Sequence, residues 1–179
     1  MNAFDQSLFL LLNAGPDTPA WALQAGVLIA RRLILLLPVL FLSLWFIGGR
    51  RERLCLIQAV MAAALALGVN HLIGLAMPVP RPFVIDLGYQ WLAHAPTPSF
   101  PSNHLAVLLS CGLVLWRGAW PRTGLAVLLC AAVVAWARIF VGVHFPMDML
   151  GALGTAGVSA WLVTRLAARL RSRTGRFSR

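Results

Sequence analysis

Three short stretches of the chain carry ionisable residues at the borders of apolar runs: RP at 81–82, FPSNH at 100–104 and RIFVGVHFPMD at 138–148. A charge is costly in such a place and marks a functional position by default. The set comprises Arg81, Ser102, Asn103, His104, Arg138, His144 and Asp148. Guanidinium groups hold phosphate oxygens in forked geometry. Pro101 and Ser102 put an N-cap where a helix should begin, and the free backbone N–H groups of that helix start would face the same anion. One histidine can attack phosphorus while another protonates the leaving oxygen. Asp148 follows His144 by one helical turn, where it can fix the imidazole tautomer and stabilise its cation. The chemistry such a set would perform is phosphoryl transfer.

The elements that must position these residues are long apolar helices. The chain has 179 residues, 60% of them hydrophobic and only 11% charged, against roughly 25% charged in a soluble domain. It therefore reads as a single all-α integral membrane domain of five to six transmembrane or partly inserted helices. Expected spans run from about Pro19 to Ile47 (interrupted by Arg31 and Arg32), Leu54 to Met77, Asn103 to Trp116, Thr123 to Phe140 and Pro146 to Leu166. Residues 1–16 read as an interfacial helix, 54–170 as the catalytic core and 171–179 as a basic tail. The N-terminus lacks a basic region before its short apolar core, so it reads as retained rather than cleaved.

The net charge of +10 comes from 15 basic residues, all arginine. Eleven of them cluster in GGRRER, in RGAWPR and in the tail beyond Thr164, which fits the positive-inside rule and not a nucleic-acid groove. These segments define the cytoplasmic side. The loop from Pro78 to Pro101 and the VGVHF turn then face outward, and the phosphate-binding set gathers at that outer face. The three cysteines, Cys55, Cys111 and Cys130, lie in apolar stretches with no paired spacing, so neither a disulfide framework nor a zinc site is expected.

RP at 81–82, PSNH at 101–104 and R-x5-H-x3-D at 138–148 resemble, in order, the three signatures of the type 2 phosphatidic acid phosphatase family. The resemblance covers roughly Leu54 to Leu170 and is nearest to the family's bacterial undecaprenyl-diphosphate phosphatases. It implies His144 as nucleophile through a phosphohistidine, Asp148 as its orienting partner and His104 as general acid. It implies Arg81 and Arg138 as phosphoryl clamps, with Ser102, Asn103 and Pro82 beside them, no metal or other cofactor, and a membrane-lipid substrate. The expected setting is the bacterial inner membrane, with the site toward the periplasm or outside.

Three positions depart from the family pattern. The lysine seven residues before the motif arginine is Gly74 here, Asn103 stands where glycine is usual, and Ala137 where serine is usual. With no lysine in the chain, Arg31 or Arg32 is the expected replacement cation, and His71 a second candidate. His71, Asn70, His94, Asp86 and Tyr89 otherwise read as packing, loop or rim residues, with a direct site role as the alternative for His94. Competing activities are hydrolysis of phosphatidylglycerol phosphate or phosphatidate, and removal or transfer of a lipid A phosphate. The non-enzymatic alternative is a lipid-binding or transport protein built on the same scaffold.

Overall fold

The computed structural model describes residues 3–174, and helices account for all the regular structure among them. Arg176 and Arg179 of the expected tail, and the side chain of Arg173, lie outside the described residues. The helices are α1 (Ala3–Leu12), α2 (Ala20–Arg32), α3 (Leu36–Ile47), α4 (Arg50–Ala76), α5 (Asn103–Arg117), α6 (Pro121–Phe140) and α7 (Pro146–Thr174).

Helices α2 and α3 form one apolar span, Ala20–Ile47, joined through a short 3-10 segment at Leu33–Leu35. Pro38 explains the interruption. It has no N–H to donate to the carbonyl of Ile34, so the helix tightens just before it. Among the described residues four stretches are long and apolar enough to cross a membrane: Ala20–Ile47, Arg50–Ala76, Pro121–Phe140 and Pro146–Ser172. Helix α5 is shorter, at 15 residues, and packs against α4, α6 and α7.

The core is a bundle in which α5 packs on α4, α6 and α7, α4 also packs on α7, and α2 leans on α6. Small residues make the close crossings possible. Ala59, Ala62, Ala63 and Ala66 form a buried stripe on α4, and Ala152, Ala156 and Ala160 form one on α7. At the α5–α6 crossing a Cβ on Gly124 would come within 2.1 Å of the Trp116 backbone nitrogen. Only glycine permits that approach, the usual device where membrane helices meet backbone to backbone. Leucines and tryptophans such as Leu42, Leu72, Leu129 and Trp161 point outward and are exposed, as a lipid-facing surface requires.

The helix ends sort into two faces. Arg50, Arg51 and Arg53 start α4, Arg117 ends α5, Arg122 starts α6, and Arg165, Arg169 and Arg171 lie in the last part of α7. At the opposite face lie the long loop after α4, the start of α5, the α6–α7 turn and α1.

Candidate active site

The α6–α7 turn shows how the sequence builds the site locally. Helix α6 ends in a Schellman cap: Val143 N–H donates to the Arg138 carbonyl at 3.1 Å and Gly142 N–H to the Ile139 carbonyl at 3.0 Å. Gly142 has φ +80°, and a Cβ there would lie 2.0 Å from the Tyr89 carbonyl oxygen. The tight cap holds Arg138 and His144 a few residues apart in sequence yet on one side of the turn. Pro146 then opens α7, as a first-turn proline does. Asp148, in that first turn, reaches back to accept the Phe145 N–H at 2.8 Å, in the manner of the returning half of a capping box.

The same carboxylate oxygen of Asp148 lies 2.9 Å from His144 Nδ1. The other ring nitrogen, Nε2, is 3.2 Å from Arg81 Nη1. A guanidinium can only donate. Nε2 must therefore carry the lone pair, and the ring proton sits on Nδ1, facing Asp148. That is the tautomer a histidine nucleophile needs. His144 is buried, and burial first, then the charges of Arg138 and Arg81, hold its pKa well below 6.5. It is neutral in the physiological range. Arg81 is pulled down to about 10, chiefly by burial and against the attraction of Asp148, and so remains charged at neutral pH.

Arg81 is held from several sides. Its Nε donates to the Thr97 carbonyl at 3.0 Å and Nη1 to the Val143 carbonyl at 2.8 Å. Nη2 reaches Thr97 Oγ1 and the Pro98 carbonyl, each at 3.3 Å. Arg138 is buried and differently placed. Nη1 donates to the Ala30 carbonyl of α2 at 3.1 Å, while Nε and Nη2 have no hydrogen-bond partner among the described residues. A buried guanidinium with two uncommitted N–H edges is suited to forked binding of an anion.

Ser102 occupies the N-cap position of α5, but its hydroxyl makes no cap bond and has no partner among the described residues. Its N–H donates to the Asp148 carbonyl at 3.2 Å, tying the start of α5 to the start of α7. His104, half-buried in the first turn of α5, lies close enough to Arg138, His94 and Arg81 for their charges to act on it. The structure thus brings Arg81, His144 and Asp148 into one hydrogen-bonded set, with Arg138, His104 and Ser102 around it.

Other expected residues fall elsewhere. The Asn103 side chain accepts a hydrogen bond from Asn70 Nδ2 at 3.0 Å and so joins α5 to α4. Pro82 is buried and starts a 3-10 turn at Pro82–Ile85. Arg31 and Arg32 are exposed, and they line a groove with Leu23, Gln24, Val27, Leu28 and Trp91. Only the carbonyl of their neighbour Ala30 reaches the cluster, because α2 turns that carbonyl inward and both arginines away. His71 is exposed on α4. None of these three supplies a cation to the cluster.

Residues not singled out from sequence complete it. Ser99 is fully buried, donates its hydroxyl to Asp148 Oδ2, and lies 3.3 Å from His144 Nδ1. Asp5 and Asn13 brace the turn from α1: Asp5 Oδ1 accepts the Met147 N–H at 3.0 Å, and Asn13 Nδ2 donates to the carbonyls of Tyr89 and Phe140. Phe9 packs on Phe145 at 5.3 Å between ring centroids. No group of His, Cys, Asp and Glu among the described residues has the arrangement of a metal cage.

Comparison with known proteins follows the same lines. The PAP2 superfamily pattern matches residues 55–172. The chain is 40% identical to the putative undecaprenyl-diphosphatase YbjG of Escherichia coli, over 82% of this chain and 74% of the relative. It is 30% identical to the undecaprenyl-diphosphatase BcrC of Bacillus subtilis, over 81% of this chain and 75% of the relative. The crystal structure of Aquifex aeolicus LpxE superposes with a TM-score of 0.76 at 21% identity, covering 92% of this chain and 96% of that one. A PAP2-type phosphatidylglycerolphosphate phosphatase from Bacillus subtilis does so with 0.62 at 18% identity, covering 93% and 84%. At these identities the two structures speak to the fold.

Proposed function

Since this chain belongs to the PAP2 superfamily and is a multi-pass membrane lipid phosphatase, we propose that it converts undecaprenyl diphosphate to undecaprenyl phosphate and inorganic phosphate. The names of the two curated relatives support that substrate. The observation that carries the proposed chemistry is the pairing of His144, with Nε2 toward Arg81 and Nδ1 toward Asp148.

In the proposed reaction His144 Nε2 attacks the terminal phosphorus. The P–O bond to the bridging oxygen breaks, and His104 protonates that oxygen as undecaprenyl phosphate leaves. Asp148 stabilises the charged imidazole, while Arg81, the free edges of Arg138 and the Ser102 hydroxyl hold the phosphoryl oxygens. Water, deprotonated by His104, then attacks the phosphohistidine, the P–N bond breaks, and phosphate departs. The isoprenoid tail stays in the bilayer and positions the head. The arginine-rich face would lie in the cytoplasm and the site toward the periplasm or outside of the inner membrane.

The test is phosphate release by the purified protein from undecaprenyl diphosphate, phosphatidylglycerol phosphate and phosphatidate. The diphosphate should give the highest kcat/KM, and His144→Ala should lower kcat by at least about a thousandfold. Equal rates on diphosphate and phosphatidate would refute the substrate assignment. An active His144→Ala variant would refute the nucleophile.

A further inference from the structure

We propose that His94 forms a second phosphate subsite, through which the protein recognises the bridging side of a diphosphate. The inference rests on the substrate reading above and deepens it.

A third imidazole stands beside the two expected ones. The His94 ring lies 6.4 Å from that of His144, centroid to centroid, edge to face at 71°. It belongs to the loop between α4 and α5, whose neighbouring points are pinned. Trp91 N–H donates to the Val141 carbonyl at 3.0 Å, and Trp91 Nε1 to the Ala14 carbonyl at 2.8 Å. On the other side Thr97 and Pro98 hold Arg81, and Ser99 N–H donates to the Val79 carbonyl at 2.8 Å. His94 is thus carried by a short arch anchored at both feet, half-buried at the edge of the cluster.

Its orientation is also set. Nδ1 lies 2.9 Å from the Ala95 carbonyl oxygen, which can only accept. Nδ1 therefore bears the hydrogen, and Nε2 is the end left for a ligand. His94 lies within electrostatic reach of Arg81 and Arg138, and His104 and His144 sense its charge. Burial, then the fields of Arg81 and Arg138, lower its pKa, while the Ala95 bond opposes them. A diphosphate bound among these cations reverses the local field and favours the protonated ring, which then donates from Nε2.

The position of the arch bears on the missing lysine. Gly74 occupies the place of that lysine and is buried under the same loop: a Cβ there would meet Pro98 Cβ at 3.4 Å. Pro98, whose carbonyl holds Arg81, thus lies in van der Waals reach of the point from which a side chain on α4 would start. The loop fills the space and brings its own ionisable group from the other side. A terminal phosphoryl group is already provided for by Arg81, Arg138 and His144. His94, at the rim, is placed for the next phosphate along.

The experiment compares kcat/KM on undecaprenyl diphosphate and on phosphatidate for the wild type, His94→Ala and His94→Lys, alongside inhibition by inorganic pyrophosphate and by phosphate. Expected results are a fall of about tenfold or more on the diphosphate for His94→Ala, a change under about twofold on phosphatidate, and recovery in His94→Lys. Pyrophosphate should lose its advantage over phosphate as an inhibitor in His94→Ala. Parallel loss on both lipids, or no loss on either, overturns the subsite. Should the wild type fail to prefer undecaprenyl diphosphate, the substrate reading falls, and the pyrophosphate-to-phosphate inhibition ratio in His94→Ala still decides the role of His94.

Discussion

Ser99 stands between His144, the proposed nucleophile, and Asp148, which orients it, and its hydroxyl is spent on Asp148. Ser99→Ala leaves a buried carboxylate one bond short, and kcat should fall about ten- to a hundredfold with KM little changed. Thermal unfolding of the purified variant, close to that of the wild type, would separate this from general damage. The pH profile follows from His144. In the proposed reaction the attacking nitrogen must be unprotonated, and the folded pKa is depressed well below 6.5. The acid limb of kcat/KM should therefore lie below pH 6.5 and not on it, as initial rates across pH 4–8 would show. Stability carries the same sign. An unfolded histidine takes up its proton near 6.5, so this group's contribution is present above that pH and is lost as pH falls toward the folded value. The residues of this set were legible in the sequence because their types are costly at the edges of apolar runs. Ser99, Asp5 and Asn13 were not, since a serine beside prolines or an asparagine in a loop is common, and only the fold shows what each one holds.

At the level of elements, the α6–α7 corner is the piece on which the site depends. Gly142 allows the cap to close and lets the Tyr89 carbonyl approach. Gly142→Ala should destabilise the protein by about 1 kcal/mol or more and reduce kcat, because His144 follows two residues later. Thermal denaturation and phosphate release on the same preparation would check both. The apolar spans were legible from composition and length, and so were the breaks at MPVPRP and FPSNH. The joining of α2 and α3 across Leu33–Leu35, and the outward turn of Arg31 and Arg32, were not. A charge in the middle of a span states only that it needs an outlet. Which way it faces depends on the neighbouring helix, here α6, whose Arg138 takes the inward place through the Ala30 carbonyl.

Seen as a whole, the molecule segregates its cations: arginines of unspecialised surface at one end, and a small buried group at the other. If the first end is cytoplasmic, a cysteine placed at Asp86, in a background without the three native cysteines, should react with a membrane-impermeant thiol reagent in intact cells. A cysteine at Arg122 should react only after the inner membrane is opened. The reverse pattern would invert the assignment. Helix α5, of 15 residues, spans about 22 Å, less than the hydrocarbon thickness of about 30 Å. If α5 falls short at the end that bears His104, the proposed reaction centre would lie in a dimple below the ends of its longer neighbours. A lipid head can slide in sideways without its tail leaving the oil. A tail-less phosphate ester would instead descend from bulk water, and such a depth would favour substrates that already live in the membrane.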